Sequence, residues 1–105
     1  MSRRHPRECG RRLEIVLLHL LKWRYQPERR SPSWRRTLLE QRHQLTHLLQ
    51  RYPRLRPQVP AMLTQRYRTA RLAGLRETGR LEEAIPRACP WTVEQILDPD
   101  FWPDG

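Results

Sequence analysis

The chain has 105 residues, 37% of them hydrophobic and 30% charged, with a net charge of +10. That length suits one domain with one modest core and leaves little material for a deep substrate chamber. No stretch approaches the roughly 18 uninterrupted apolar residues of a membrane span, and the polar start Met1-Ser-Arg-Arg-His-Pro6 is not followed by a signal-type apolar run, so the sequence reads as a soluble, cytoplasmic protein.

After a flexible lead over residues 1–6, the spacing predicts a first helix from about Arg7 to Tyr25. Leu13, Val16, Leu17, Leu20 and Leu21 follow the i, i+3, i+4 repeat of one helical face. Ile15, Leu18 and Tyr25 widen that face, and Arg12, His19, Lys22 and Gln26 keep only a narrow polar strip. A helix this apolar has to be covered on two sides. The following Gln26–Pro32, with two prolines and several charges, reads as a loop.

A second helix is expected from about Ser33 to Arg51, with Ser31 or Ser33 as its cap and Pro32 suited to a first helical position. Trp34, Leu38, Leu45, Leu48, Leu49 and Tyr52 share one face, Arg35, Arg36, Arg42 and Gln50 point elsewhere, and Pro53 ends the run. A third helix lies between about Arg56 and Thr78, with Pro57 and Pro60 blurring its start. Val59, Met62, Leu63, Tyr67, Ala70 and Ala73 form its inner side, the small Ala70, Ala73 and Gly74 admit a close neighbour, and Gly79 suits its C-terminal cap.

The last signal is the sharpest. Thr92-Val-Glu-Gln95 is a capping box, and Trp91 and Ile96 are spaced as a hydrophobic staple. They open a short helix over about 92–97 that Asp98-Pro99 stops. No run alternates with the period of a strand. The expectation is a single all-α domain over 1–105: a small bundle of three main helices plus a short C-terminal helix, without a sheet.

Charge is unevenly distributed. Residues 1–80 hold 20 basic and five acidic side chains, whereas residues 81–105 hold Arg87 against six acids. Lys22 is the only lysine, so the positive charge is almost all guanidinium. Such asymmetry fits a nucleic-acid surface, an acidic partner, or an acidic tail folded onto its own basic body. Arg29, Arg30, Arg35 and Arg36, flanked by Trp23, Tyr25 and Trp34, are the candidate polyanion contacts, since guanidinium groups hold phosphates and aromatic rings stack on bases. The same arginines suit pairing with Glu28 and the acidic C-terminus. Arg51, Arg54, Arg56, Arg66, Arg68, Arg71 and Arg76 do not fall on one side and read as a generally basic surface.

Catalytic signals are weak. His43 and His47 stand i, i+4 with Glu40 a turn earlier, but the run His-Gln-Leu-Thr-His lacks the glutamate of a zinc-protease motif and reads as a solvated face. Cys9 and Cys89 are widely spaced and read as free thiols, with Cys89 structural rather than nucleophilic. With only 4 glycines there is no phosphate-cradling loop, and no Ser-His-Asp order appears. No catalytic residue, cofactor or metal ligand is assigned.

The run from Leu17 to Trp34, LLHLLKWRYQPERRSPSW, the step Glu77-Thr-Gly79, and the run from Cys89 to Trp102, CPWTVEQILDPDFW, together resemble a bacterial family known as domain of unknown function, family twenty-nine. The resemblance spans about Leu13 to Trp102 and implies a small helical protein with no established functional residues. It also implies a further acidic and apolar helical segment ahead of helix one, where this chain has about a dozen polar residues. With helix one apolar on two faces, the expectation is that Leu13, Leu17, Leu20, Leu21 and Trp23 form an interaction surface covered by a second copy or by a separately encoded protein. The expected function is a non-enzymatic protein–protein interaction module. The alternative is a basic nucleic-acid-binding accessory protein. Neither a membrane nor a metal partner is expected.

Overall fold

The computed structural model describes residues 4–104. Helix α1 spans Arg4–Tyr25, α2 Pro32–Arg51, α3 Val59–Thr78 and α4 Val93–Leu97, with 3-10 turns at Pro27–Arg29, Pro53–Gln58 and Glu82–Ala84. The protein is all-α, and no strand occurs among the described residues.

Each boundary has a local cause. α1 begins at Arg4 rather than at about Arg7, so Arg4–Pro6 are helical and not part of a flexible lead. Pro6 fits there because the first turn has no intrahelical use for its missing N–H. Residues 1–3 of the expected lead lie outside the described residues. At α2, the Ser31 hydroxyl accepts from the Trp34 N–H at 3.2 Å and Pro32 takes the first position. α3 starts at Val59, not at about Arg56, because Pro60 has to fall in its first turn; Pro57 is absorbed by the preceding 3-10 turn. Gly79 ends α3 at φ 67, left-handed, its N–H bonded to the Leu75 carbonyl at 3.0 Å. α4 has both halves of its capping box: Thr92 Oγ1 accepts from Gln95 N at 3.1 Å, and Gln95 Oε1 accepts from Thr92 N at 3.0 Å.

α1 is the middle of a three-helix layer. It packs along α2 on one side and α3 on the other, while α2 and α3 touch each other little. The molecule is accordingly flat, 42 × 26 × 19 Å. This arrangement answers the two-sided apolar character of α1 within the chain. Leu13, Leu17, Leu20 and Leu21 join one core with Leu38, Leu45, Leu49, Leu63, Tyr67, Ile85 and Ile96, and none of the four is more than 1% exposed. Gly74 of α3 lets α1 come close: a Cβ there would stand 3.3 Å from Leu21 Cδ1.

From Arg80 onward the chain folds back as a strap. α4 contacts both outer helices, α2 and α3. Ile85 and Ile96 enter the core, and Trp91, Val93, Leu97 and Trp102 pack against it.

Candidate functional site

Arginine does two different jobs in this fold. Arg42 on α2 and Arg71 on α3 are the two buried charged side chains among the described residues, 1% and 9% exposed. Arg42 donates from Nε to the Ile96 carbonyl at 2.8 Å and from Nη2 to the Gln95 carbonyl at 3.2 Å. Its Nη1 is buried without a partner, and its guanidinium lies 5.6 Å from the Trp102 ring. Burial, opposed by the charge of Asp98, pushes the guanidinium down to about 10, so it stays charged near neutral pH. Arg71 donates from Nε to the Ile85 carbonyl at 3.1 Å and from Nη2 to the Glu82 carbonyl at 2.7 Å. Beside it the Tyr67 hydroxyl donates to the Pro86 carbonyl. Each outer helix therefore grips the strap through a fork that satisfies two backbone carbonyls at once.

The sequence reading placed Arg42 off the apolar face and Arg71 on a basic surface, and both placements are corrected by their burial. The signal that finds Arg42 is the stripe Leu38-Arg42-Leu45-Leu49, in which it occupies a core step of α2. Arg71 likewise sits one turn after Tyr67 and three residues before the buried Gly74.

The surface expected on helix one is not available. Leu13, Leu17, Leu20 and Leu21 are enclosed by the chain itself, and only Trp23 is half-buried. Trp23 meets Trp102 of the strap, ring centroids 4.6 Å apart at 46°. Around this pair the structure brings together half of the expected polyanion contacts. Arg30 lies 4.9 Å over Trp23, donates to its carbonyl at 2.9 Å, and has Asp104 at 4.0 Å. Arg35 lies 4.8 Å over Trp102. Arg29 and Arg36 remain exposed and turned outward. The corner between α1 and α2 is thus occupied by the chain's own tail.

The opposite end of the layer is different. There α1 begins, α2 ends and the Pro53–Gln58 turn leads into α3, with His5 stacked on Tyr52 at 3.9 Å. Arg7 and Arg11, one helical turn apart on α1, and Arg54 and Arg56 on the turn are all exposed, and no acid pairs with any of them among the described residues. The acids of that half of α1 are engaged: Glu8 pairs with Arg12 and Glu14 with Arg66, each at 3.0 Å. Three acids of the strap are engaged elsewhere, with Glu82 facing Arg71 and Arg87, Asp98 neighbouring Arg42, and Asp104 facing Arg30.

Other reactive side chains are quiet. His43 and His47 are exposed on α2, and among the described residues no three His, Cys, Asp or Glu side chains gather to hold a metal ion. Burial pushes the Cys9 thiol up, helped by Glu8, and burial also raises Cys89, whose Sγ donates to the Trp91 carbonyl at 3.5 Å. Both cysteines are free. The His19 ring donates from Nδ1 to the Ile15 carbonyl at 2.8 Å, and burial pushes its pKa down, toward the neutral imidazole. Among the described residues no helix is long and apolar enough to cross a membrane.

Compared with known families, residues 1–102 match the family model described as "Domain of unknown function DUF29". No curated protein and no solved structure matches the chain.

Proposed function

The chain belongs to the DUF29 family, whose description names no function, and from that premise we propose that it is a non-enzymatic binding protein whose partner is nucleic acid. Its contact surface in this reading is the end of the helix layer that carries Arg7, Arg11, Arg54 and Arg56. The observation that carries the reading is the segregation of charge. At the corner the tail engages Arg30 through Asp104 and covers Arg35 with the Trp102 ring, while the four guanidiniums at the far end stand exposed with no acid paired to them among the described residues. An uncompensated cluster of this kind attracts phosphates through counterion release, and guanidinium forks suit phosphate oxygens. The reading as a protein–protein module drew on the leucines of α1, and their enclosure within the chain removes that support.

The test is binding of a labelled oligonucleotide across a salt series. Four phosphate contacts predict a slope of log affinity against log salt of about −3.6 on duplex DNA. Replacing Arg54 and Arg56 by alanine should flatten it by about 1.8, while Arg29→Ala with Arg36→Ala should leave it nearly unchanged. Absence of binding at low salt, or a slope indifferent to the four arginines, would overturn the proposal.

A further inference from the structure

We propose that the hollow between α3 and the strap is a subsite for one unstacked nucleotide, with Trp91 as the stacking surface and Arg68 and Arg87 as the phosphate contacts. The inference rests on the nucleic-acid reading and sharpens it: the preferred ligand is a single strand.

The hollow has a volume of about 450 Å³. Its base is apolar, made by Leu63 and Tyr67 of the core, and the half-buried Trp91 forms one wall. Trp91 packs against the core and also borders a neighbouring hollow of about 460 Å³, so its uncovered part is open to both spaces. None of the residues lining the first hollow is acidic. Arg68 is exposed and has no partner among the described residues. Arg87 is held only by an exposed bridge to Glu82 at 3.5 Å, its own side chain 86% exposed. Such a bridge contributes little and is readily exchanged for a phosphate. An apolar base, an indole and two available guanidiniums match one chemical class of ligand: a flat aromatic ring joined to an anion.

Position ties the hollow to the basic end. Thr64, on its rim, lies five residues into α3, about 8 Å along the helix axis from the turn that carries Arg54 and Arg56. In this proposal a strand whose phosphates rest on that turn runs on along α3 to the hollow. A duplex cannot use it, because its bases are stacked and paired, whereas single-stranded bases are free to splay onto an aromatic side chain.

The experiment compares a short labelled oligothymidylate with a duplex of the same length, using the full chain and recording both anisotropy and tryptophan fluorescence. The single strand should bind about tenfold tighter than the duplex and should alone quench the tryptophan signal. Arg68→Ala combined with Arg87→Ala touches only exposed side chains, so the fold should persist by circular dichroism. That variant should weaken single-strand binding about tenfold and leave duplex binding within about twofold. Trp91→Ala should abolish the quenching, but Trp91 also packs against the core, so the arginine pair is the deciding variant. Equal binding of both ligands, unaffected by the arginine pair, overturns the subsite and leaves the nucleic-acid reading standing. Failure of both ligands to bind at low salt overturns both, and failure of the single strand alone overturns the subsite.

Discussion

Arg42 on the second helix donates to the carbonyl of Ile96, 54 residues later in the chain, across 2.8 Å. With the second bond to Gln95, this one side chain satisfies the end of α4 and fixes the strap over the core. Arg42→Ala should therefore cost about 3 kcal/mol, since it leaves the buried Ile96 carbonyl without a donor, leaves the Gln95 carbonyl only its bond from the Asp98 N–H, and opens a void. Arg42→Lys should recover only part of that, because an ammonium cannot reproduce the fork. By contrast Asp104→Asn, which removes an 86% exposed carboxylate 4.0 Å from Arg30, should shift stability by less than about 0.5 kcal/mol. Urea unfolding of the three variants measures the contrast. Equal effects would mean that the tail is held by its surface ion pair rather than by the buried fork.

Tyr67 predicts an alkaline transition. Burial, reinforced by Cys89 and Tyr25, raises its phenol to about 12, against an ordinary value of 10 when unfolded. The folded state thus favours the neutral form. The stabilisation this supplies is fully present below pH 10 and is lost as the pH rises through 12. The lost amount is about 3 kcal/mol. Tyr67→Phe should be less stable than wild type at neutral pH through loss of the bond to Pro86, and the gap should narrow above pH 10. A gap that is constant with pH would show that Tyr67 ionises freely in the folded protein.

The two clearest local signals have modest, measurable costs. Thr92→Ala removes the acceptor for Gln95 N and should cost about 1 kcal/mol. Gly79→Ala places a side chain at φ 67, where nothing lies within 4 Å, so its cost is purely conformational and also about 1 kcal/mol. Gly79 ends α3 before the strap and Thr92 caps α4 within it, with no bond between them, and the double variant should be additive within about 0.5 kcal/mol. Both are read from thermal melts.

Leu17→Glu or Leu20→Glu places a carboxylate where the native side chain is 0% exposed. An unpaired buried charge costs several kcal/mol, about enough to exhaust the stability of a small domain. The expected result is loss of the helical circular-dichroism signal in the single chain. A variant that stays fully helical but loses an oligomer seen for wild type by light scattering would restore the expectation that these leucines face a second chain.

Local elements were legible because their causes are local. Ser31 before Pro32, Gly79 after Thr78 and the Thr92–Gln95 box each act within about four residues, and each occupies its expected position. The 3.6-residue repeat of Leu13, Val16, Leu17, Leu20 and Leu21 marks a buried helix without any knowledge of its neighbours. Boundaries set by two competing prolines were less legible. Pro57 and Pro60 each bar a continuing α-helix, and the short 3-10 turn that resolves the conflict has no hydrophobic period of its own.

By itself the sequence determined the helical class, the caps, the central place of α1 and the acidic character of the tail, because propensity, capping and periodicity are short-range properties of the chain. Only the tertiary structure decided what covers α1 and which arginines are occupied. Two amphipathic helices on its flanks and a strap of distant residues enclose the leucines that looked available to a partner. Arg42 and Arg71, indistinguishable by charge from Arg54 and Arg56, are drawn inward because the strap brings unpaired carbonyls to them. A guanidinium is stable in a core only where such acceptors arrive, and which of many arginines meets them is settled by long-range packing, not by its neighbours in sequence.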